Sequence, residues 1–123
     1  AKHHPRNLFG TLAAVPLLLI LATVAAIWWN RSMKFTIAIE AGTRKTAFGV
    51  VVPDLAGCFS AGDTIEQAFV NAYEAIDTFC KIVADDGGEL PVTRPMPYWQ
   101  KDSRFNGWAW DVIDVPVEKY FRQ

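Results

Sequence analysis

The chain has 123 residues, of which 51% are apolar and 20% charged, and this length holds one small core, which excludes a multidomain enzyme. Cys58 and Cys80 are too few for a disulfide scaffold and lack the clustering of a zinc site, which favours a reducing compartment. Residues 1–32 contain three basic residues and no acidic one, whereas residues 33–123 contain nine basic and 13 acidic residues and carry a net charge of −4. An acidic domain argues against nonspecific nucleic-acid binding and suits a basic protein partner.

Residues 8–29 form an uncharged apolar run, here called the apolar block. As a helix it would extend about 33 Å, enough to span a bilayer. Its last residues, Trp28 and Trp29, suit a membrane interface, and basic residues flank both ends.

Three interpretations of the apolar block stay open. It is a transmembrane anchor, a signal peptide, or part of a non-native extension of a protein that begins at Met33. The signal peptide is disfavoured because the run is long and ends without a small-residue cleavage site. The sequence therefore predicts a hydrophobic segment over residues 1–32 and a folded domain over residues 33–123. We expect the protein to be anchored in a membrane if residues 1–32 are native, and cytoplasmic if it starts at Met33.

Alternation of apolar residues after Met33 predicts β-strands. The pattern favours one strand over residues 35–40 and a second over residues 47–52, joined as an antiparallel hairpin by a turn at residues 41–45. A short third strand is expected at residues 58–61.

Apolar residues recur every three or four positions from Ile65 to Val83, which predicts an amphipathic helix packed on the sheet. We expect Asp63 to cap its N-terminus, with Glu66 in a capping-box-like arrangement. Residues 85–88, Asp-Asp-Gly-Gly, should end it.

The C-terminal third is predicted to close the sheet. Residues 90–105 contain three prolines and are expected to run as an irregular, partly extended connection. Residues 107–115 should form the last strand, with Trp108 and Trp110 on one face and Asp111 on the other. The order β-β-β-α-β predicts a small α+β sandwich.

Side chains that could carry chemistry are few. The only histidines, His3 and His4, precede the predicted domain, so no base is available for a serine or cysteine nucleophile there. A divalent metal would need converging carboxylates, and the candidates are Glu40, Asp54, Asp111 and Asp114. Asp111 and Asp114 fall on opposite faces of their strand, which favours a turn or solvated role. The sequence therefore predicts no catalytic residue, no metal and no cofactor, and a protein that is not an enzyme.

Residues 53–68, PDLAGCFSAGDTIEQA, resemble the HicB antitoxin family. The resemblance rests on the PDLxGC turn, which contains Pro53, Asp54, Gly57 and Cys58, and on Asp63 in the Gly-Asp-Thr cap before the helix. It extends to GWAWDVIDV at residues 107–115 and to Tyr120, and so covers residues 33–121.

The resemblance implies a degenerate ribonuclease-H-like α+β fold without nuclease chemistry. It also implies binding to a HicA toxin, a small basic ribonuclease that cleaves mRNA with a histidine, whose RNA surface the antitoxin would cover. Family members commonly continue into a DNA-binding domain, whereas this chain ends at Gln123, so DNA binding is not expected. We further expect a homo-oligomer.

Two other functions stay open. One is a membrane-anchored accessory or interaction domain that uses the same fold and contacts the membrane through residues 8–29. The other is a metal-dependent nuclease. Trp108 and Trp110 are the candidate partner contacts, because two tryptophans on one strand face exceed what a small core needs. The alternative is that both pack in the core or against the proline-rich connection.

Overall fold

The computed structural model describes residues 19–21 and 32–122. Residues 19–21 are helical, and the rest of the apolar block lies outside the described residues. In the part of the chain that the structure describes, none of the helices combines the length and the apolar character needed to cross a membrane. The chain divides into the units Ala1–Arg31 and Ser32–Gln123, and the fold below is that of the second unit.

Four antiparallel strands form one sheet. They are β1 (Met33–Glu40), β2 (Phe48–Val51), β3 (Phe59–Gly62) and β4 (Ala109–Val115), in the order β3-β2-β1-β4. The central strand β1 pairs with both β2 and β4. Five consecutive residues of β1, 35–39, are buried because both of its faces are covered. The predicted α+β class and the predicted order of these elements are confirmed.

Helix α1 (Ile65–Asp85) packs against one face of the sheet. Small side chains of the helix face the strands, so its backbone can approach them closely. The core between the two layers includes Phe35, Ile37, Val50, Val115, Ala68, Ala72, Ile76 and Cys80.

The N-cap of α1 is Thr64, and the prediction that Asp63 caps the helix was wrong. The backbone of Thr64 is extended, with φ −119° and ψ 161°, and its hydroxyl accepts from the Gln67 N–H at 3.1 Å. The Gln67 side chain in turn accepts from the Asp63 N–H at 3.4 Å, where Glu66 was the expected partner. Because a cap bonds the residue three positions ahead, the bond to Gln67 fixes the cap at position 64.

The opposite face of the sheet is covered by the connection between α1 and β4. The prediction that this connection is irregular was wrong in part, since it contains helix α2 (Met96–Gln100) and a 3-10 helix (Ser103–Phe105). Pro95 is the N-cap of α2 and Pro97 lies in its first turn, positions that tolerate a missing N–H. A second 3-10 helix, Glu118–Phe121, follows β4. The domain therefore has three layers, with α1, the sheet and the connection stacked in that order.

Candidate protein-interaction surface

The PDLxGC motif forms the turn between β2 and β3. The Val52 N–H donates to the Cys58 carbonyl at 3.0 Å, and the Cys58 N–H donates to the Leu55 carbonyl at 2.9 Å. Gly57 has φ +86°, a left-handed conformation that favours glycine. The side chains of Leu55 and Cys58 are buried. The motif is thus a compact turn that anchors itself in the core.

Asp54 ties this turn to the connection on the back of the sheet. Its Oδ1 accepts from the Arg94 N–H at 2.9 Å and from the Trp99 Nε1–H at 3.0 Å. Its Oδ2 is buried and has no hydrogen-bond partner among the described residues. Burial raises the pKa of Asp54 above its ordinary value, against the opposing effects of the Trp99 and Arg94 hydrogen bonds. Asp54 therefore joins the β2–β3 turn to the connection through two hydrogen bonds. The prediction that Asp54 only forms a turn missed this role.

The four carboxylates considered as metal ligands, Glu40, Asp54, Asp111 and Asp114, do not form a cluster. Asp54 is engaged with the connection, and Asp114 forms an ion pair with Lys34 across β1 and β4 at 3.1 Å. Asp111 Oδ1 accepts from the Val112 N–H at 2.7 Å. Within the described ranges, 19–21 and 32–122, the structure contains no group of three or more His, Cys, Asp or Glu side chains able to hold a metal ion.

The two cysteines are buried free thiols. Burial raises the pKa of the Cys80 thiol to about 12, and Cys58 and Asp77 add to the shift. A thiol that stays protonated at neutral pH is a poor nucleophile. Cys58 and Cys80 therefore serve packing rather than chemistry.

Trp108 and Trp110 pack against the connection through one shared residue. Their rings meet Phe105 edge-on, with centroid distances of 5.2 Å and 5.4 Å. Phe105 is buried, and both tryptophans are half-buried. Trp108 precedes β4, which begins at Ala109, whereas it was predicted to lie in the strand. The exposed parts of the rings remain available, so their role as partner contacts stays a prediction.

Two apolar grooves flank helix α1. One, the β4 groove, has a volume of about 450 Å³ and is lined by Phe69, Val70, Tyr73, Glu74 and Ile113. The other, the β3 groove, has a volume of about 460 Å³ and lies beside β3, where its lining includes Phe59, Phe79 and Ile82. Exposed apolar side chains that lie side by side in a patch are typical of protein-interaction surfaces. Periodicity assigned the buried face of α1 but gave no signal for these grooves.

Comparisons with known proteins show which family this chain resembles in sequence and in fold. The family described as HicB_like antitoxin of bacterial toxin-antitoxin system matches residues 35–123. The N-terminal domain of Burkholderia pseudomallei antitoxin HicB is 27% identical, with a TM-score of 0.59, over 68% of this chain and 98% of that one. A chain of a HicA3 and HicB3 toxin-antitoxin complex is 26% identical, with a TM-score of 0.58, over 68% of this chain and 98% of that one.

Two further relatives differ in what they contribute. A chain of a toxin-antitoxin complex from Streptococcus pneumoniae has a TM-score of 0.58 over 75% of this chain and 74% of that one, and at 14% identity it shows the fold alone. An uncharacterized 14.9 kDa protein in the rep-hol intergenic region of Haemophilus phage HP1 (strain HP1c1) is 39% identical over 68 residues. These residues are 55% of this chain and 51% of that protein, so the match spans about half the length of the curated relative.

Proposed function

Because this chain belongs to the HicB-like antitoxin family of bacterial toxin–antitoxin systems, we propose that it binds a HicA-type mRNA-cleaving ribonuclease and covers that toxin's RNA-binding surface. Inhibition by covering needs a complementary surface and no reactive group. The described residues fit this requirement, since the carboxylates are dispersed and the thiols buried. The family identified from residues 53–68 is confirmed by the match over residues 35–123.

One observation supports a toxin partner most directly. The matched chain in the HicA3 and HicB3 complex is covered to 98% by this chain, so it contains little beyond the shared domain. Charge supports the same partner, because residues 33–123, with nine basic and 13 acidic residues, carry −4 and a toxin that binds RNA is basic. Opposite charges accelerate encounter and select the partner.

Co-expression tests this proposal. A small basic reading frame beside the gene for this chain is expressed alone and together with the full chain. We expect the frame alone to stop growth, the pair to grow, and the two proteins to purify together in equal amounts, because each active site needs one covering surface. A toxin whose histidine is replaced by alanine controls for expression. Absence of both rescue and co-purification contradicts the proposal.

Cleavage assays separate this function from a nuclease. We expect the full chain to cleave neither RNA nor RNA–DNA hybrids with added magnesium or manganese, because Asp54 and Asp114 are held by other residues and Asp111 lies on the opposite face from Asp114. Metal-dependent cleavage that disappears in Asp54→Asn or Asp111→Asn would overturn this expectation.

A further inference from the structure

We propose that the outer edge of β4, together with the β4 groove, receives a basic β-strand of the toxin, which pairs with β4 as a fifth strand of the sheet. The inference rests on the proposed function and names the surface and the mode of binding. An extended segment that joins a sheet edge gains main-chain hydrogen bonds from the edge and specificity from pockets for alternate side chains.

The edge of β4 offers such hydrogen bonds. β4 pairs with β1 on one side and with no other strand in the described part of the chain. Successive residues of an antiparallel strand point their backbone groups to opposite sides. The Val112 N–H donates to the side chain of its own neighbour Asp111, so it points away from β1, and the backbone groups of Trp110 and Asp114 point the same way. A partner strand needs only to replace the Asp111 side chain at Val112.

The opposite edge of the sheet is protected. The Ala61 carbonyl of β3 accepts from the Asn71 Nδ2 of helix α1 at 2.7 Å. The strand is also four residues long, against seven for β4. Short strands and side chains that occupy the edge are the usual means of preventing strand addition. Of the two edges, β4 is therefore the one able to accept a partner strand.

The β4 groove supplies the pockets. It lies between α1 and β4, and Phe69 also lines a second hollow of about 360 Å³, whose other lining residues include Phe48, Ile65 and Ala109. Apolar side chains on one face of an added strand would enter these hollows. Trp110 lies on the other face of β4, where the same strand would cover the exposed part of its ring.

Charge identifies the occupant as a basic strand. Glu74 and Asp111 line the two hollows, both are exposed, and none of the described lining residues is basic. A second copy of this chain fits poorly. Antiparallel pairing of two β4 strands about Val112 would bring the two Asp111 side chains to diagonal positions on the same face, about 7–8 Å apart. The chain's own apolar block has no charged residue between positions 8 and 29 to meet these carboxylates.

Hydrogen exchange tests the proposal. The full chain is measured alone and with the toxin of the adjacent reading frame, whose catalytic histidine is replaced by alanine. We expect the amides of Trp110, Val112 and Asp114 to exchange at least tenfold more slowly in the complex, because each would gain a main-chain acceptor. Binding that leaves these amides unprotected overturns the inference and leaves the proposed function intact. A wild-type chain that does not bind the toxin overturns both.

A matched pair of variants tests the groove. Val70 and Ile82 lie on the same helix and are 57% and 55% exposed, but Val70 lines the β4 groove and Ile82 the β3 groove. We expect Val70→Lys to raise the Kd for the toxin at least tenfold and Ile82→Lys to change it less than threefold. Equal effects, or the reverse order, overturn the inference. Both positions are exposed, so we expect both variants to fold, and circular dichroism of each variant is the check.

Charge reversal and concentration complete the test. Asp111→Lys should raise the Kd at least tenfold, whereas Asp85→Lys, the same change at an exposed position near the end of α1, should raise it less than threefold. Protection of the Trp110 and Asp114 amides in the free chain overturns the inference, and its dependence on protein concentration identifies the occupant. If it increases with protein concentration, a second copy is the occupant. If the protection is independent of protein concentration, the chain's own N-terminal residues are the occupant.

Discussion

Removing the Asp54 carboxylate should loosen the attachment of the connection to the sheet. Asp54→Ala leaves the Arg94 N–H and the Trp99 Nε1–H without their acceptor. A hydrogen bond to a charged group contributes about 1.5 kcal/mol, so the two bonds contribute about 3 kcal/mol. The variant also removes the buried, unpartnered Oδ2, which offsets part of the loss. We expect the free energy of unfolding to fall by about 2 kcal/mol, equivalent to a decrease in Tm of about 10 °C for a domain of this size.

Asp54→Asn is the matched control, because its Oδ1 can accept the same two bonds without a charge. We expect it to stay within about 1 kcal/mol of the wild type at pH 7. Since burial raises the pKa of Asp54, the native state favours the protonated form. The stabilisation of the native state by protonation of Asp54 is fully present below the pKa of Asp54 in the unfolded chain. It is lost as the pH rises through the higher pKa of Asp54 in the folded chain. The wild type should therefore gain stability relative to Asp54→Asn as the pH falls from 7 to 4.

Urea denaturation of the full chain, followed by tryptophan fluorescence, measures these differences. A double-mutant cycle with Trp99→Phe isolates the indole bond, and we expect a coupling energy of about 1 kcal/mol. Equal losses of stability in Asp54→Ala and Asp54→Asn, or a coupling energy of zero, would contradict this role of the Asp54 carboxylate.

Three further changes test the rest of the domain. The Tyr120 hydroxyl donates to Asp77 at 2.7 Å, and this bond together with burial raises the Tyr120 pKa to about 12. The stabilisation from this hydrogen bond is present below the unfolded pKa of tyrosine, about 10, and should be lost as the pH rises toward 12. The wild type should therefore lose stability relative to Tyr120→Phe over that pH range, as measured by thermal unfolding at a series of pH values. Gly62→Ala would place a Cβ in steric overlap with the Ala68 backbone nitrogen, so it should lower the free energy of unfolding by about 2 kcal/mol or more. Urea denaturation measures this change, and an unchanged midpoint would contradict the packing. Trp108→Ala should weaken toxin binding by about 2 kcal/mol if the ring is an anchor, measured by calorimetry, whereas a collapsed thermal transition would show that its packing on Phe105 matters instead.

Local sequence patterns predicted the strands and helix α1 because each of these elements depends on residues that are close together in the sequence. Alternation identified β1, and a spacing of three and four residues identified α1 from Ile65 to within two residues of its end at Asp85. The error at the N-cap of α1 lies where the cause is a specific hydrogen bond. Periodicity cannot distinguish Asp63 from Thr64 as the cap, because either side chain can accept, and only the bond to Gln67 decides.

The site was less predictable because its contacts join distant parts of the chain. Asp54 meets Arg94 and Trp99, 40 and 45 residues further on, and no local pattern connects such positions. The family resemblance identified the motif residues Pro53, Asp54 and Gly57 without giving the partner of the carboxylate. The grooves beside α1 arise from how the helix sits on the sheet, which periodicity does not determine. The degenerate ribonuclease-H-like relationship stays a prediction.

Three carboxylates of the domain, those of Asp54, Asp111 and Asp114, differ in what they hold together. Asp54 holds two layers together and Asp114 ties β4 to Lys34 in β1. Asp111 satisfies a backbone donor on the edge of β4 through a contact within its own strand. Of these three carboxylates, Asp111 alone can release its contact without separating two elements of the fold. The negative charge best placed to meet a partner is therefore also the one whose release disturbs the fold least.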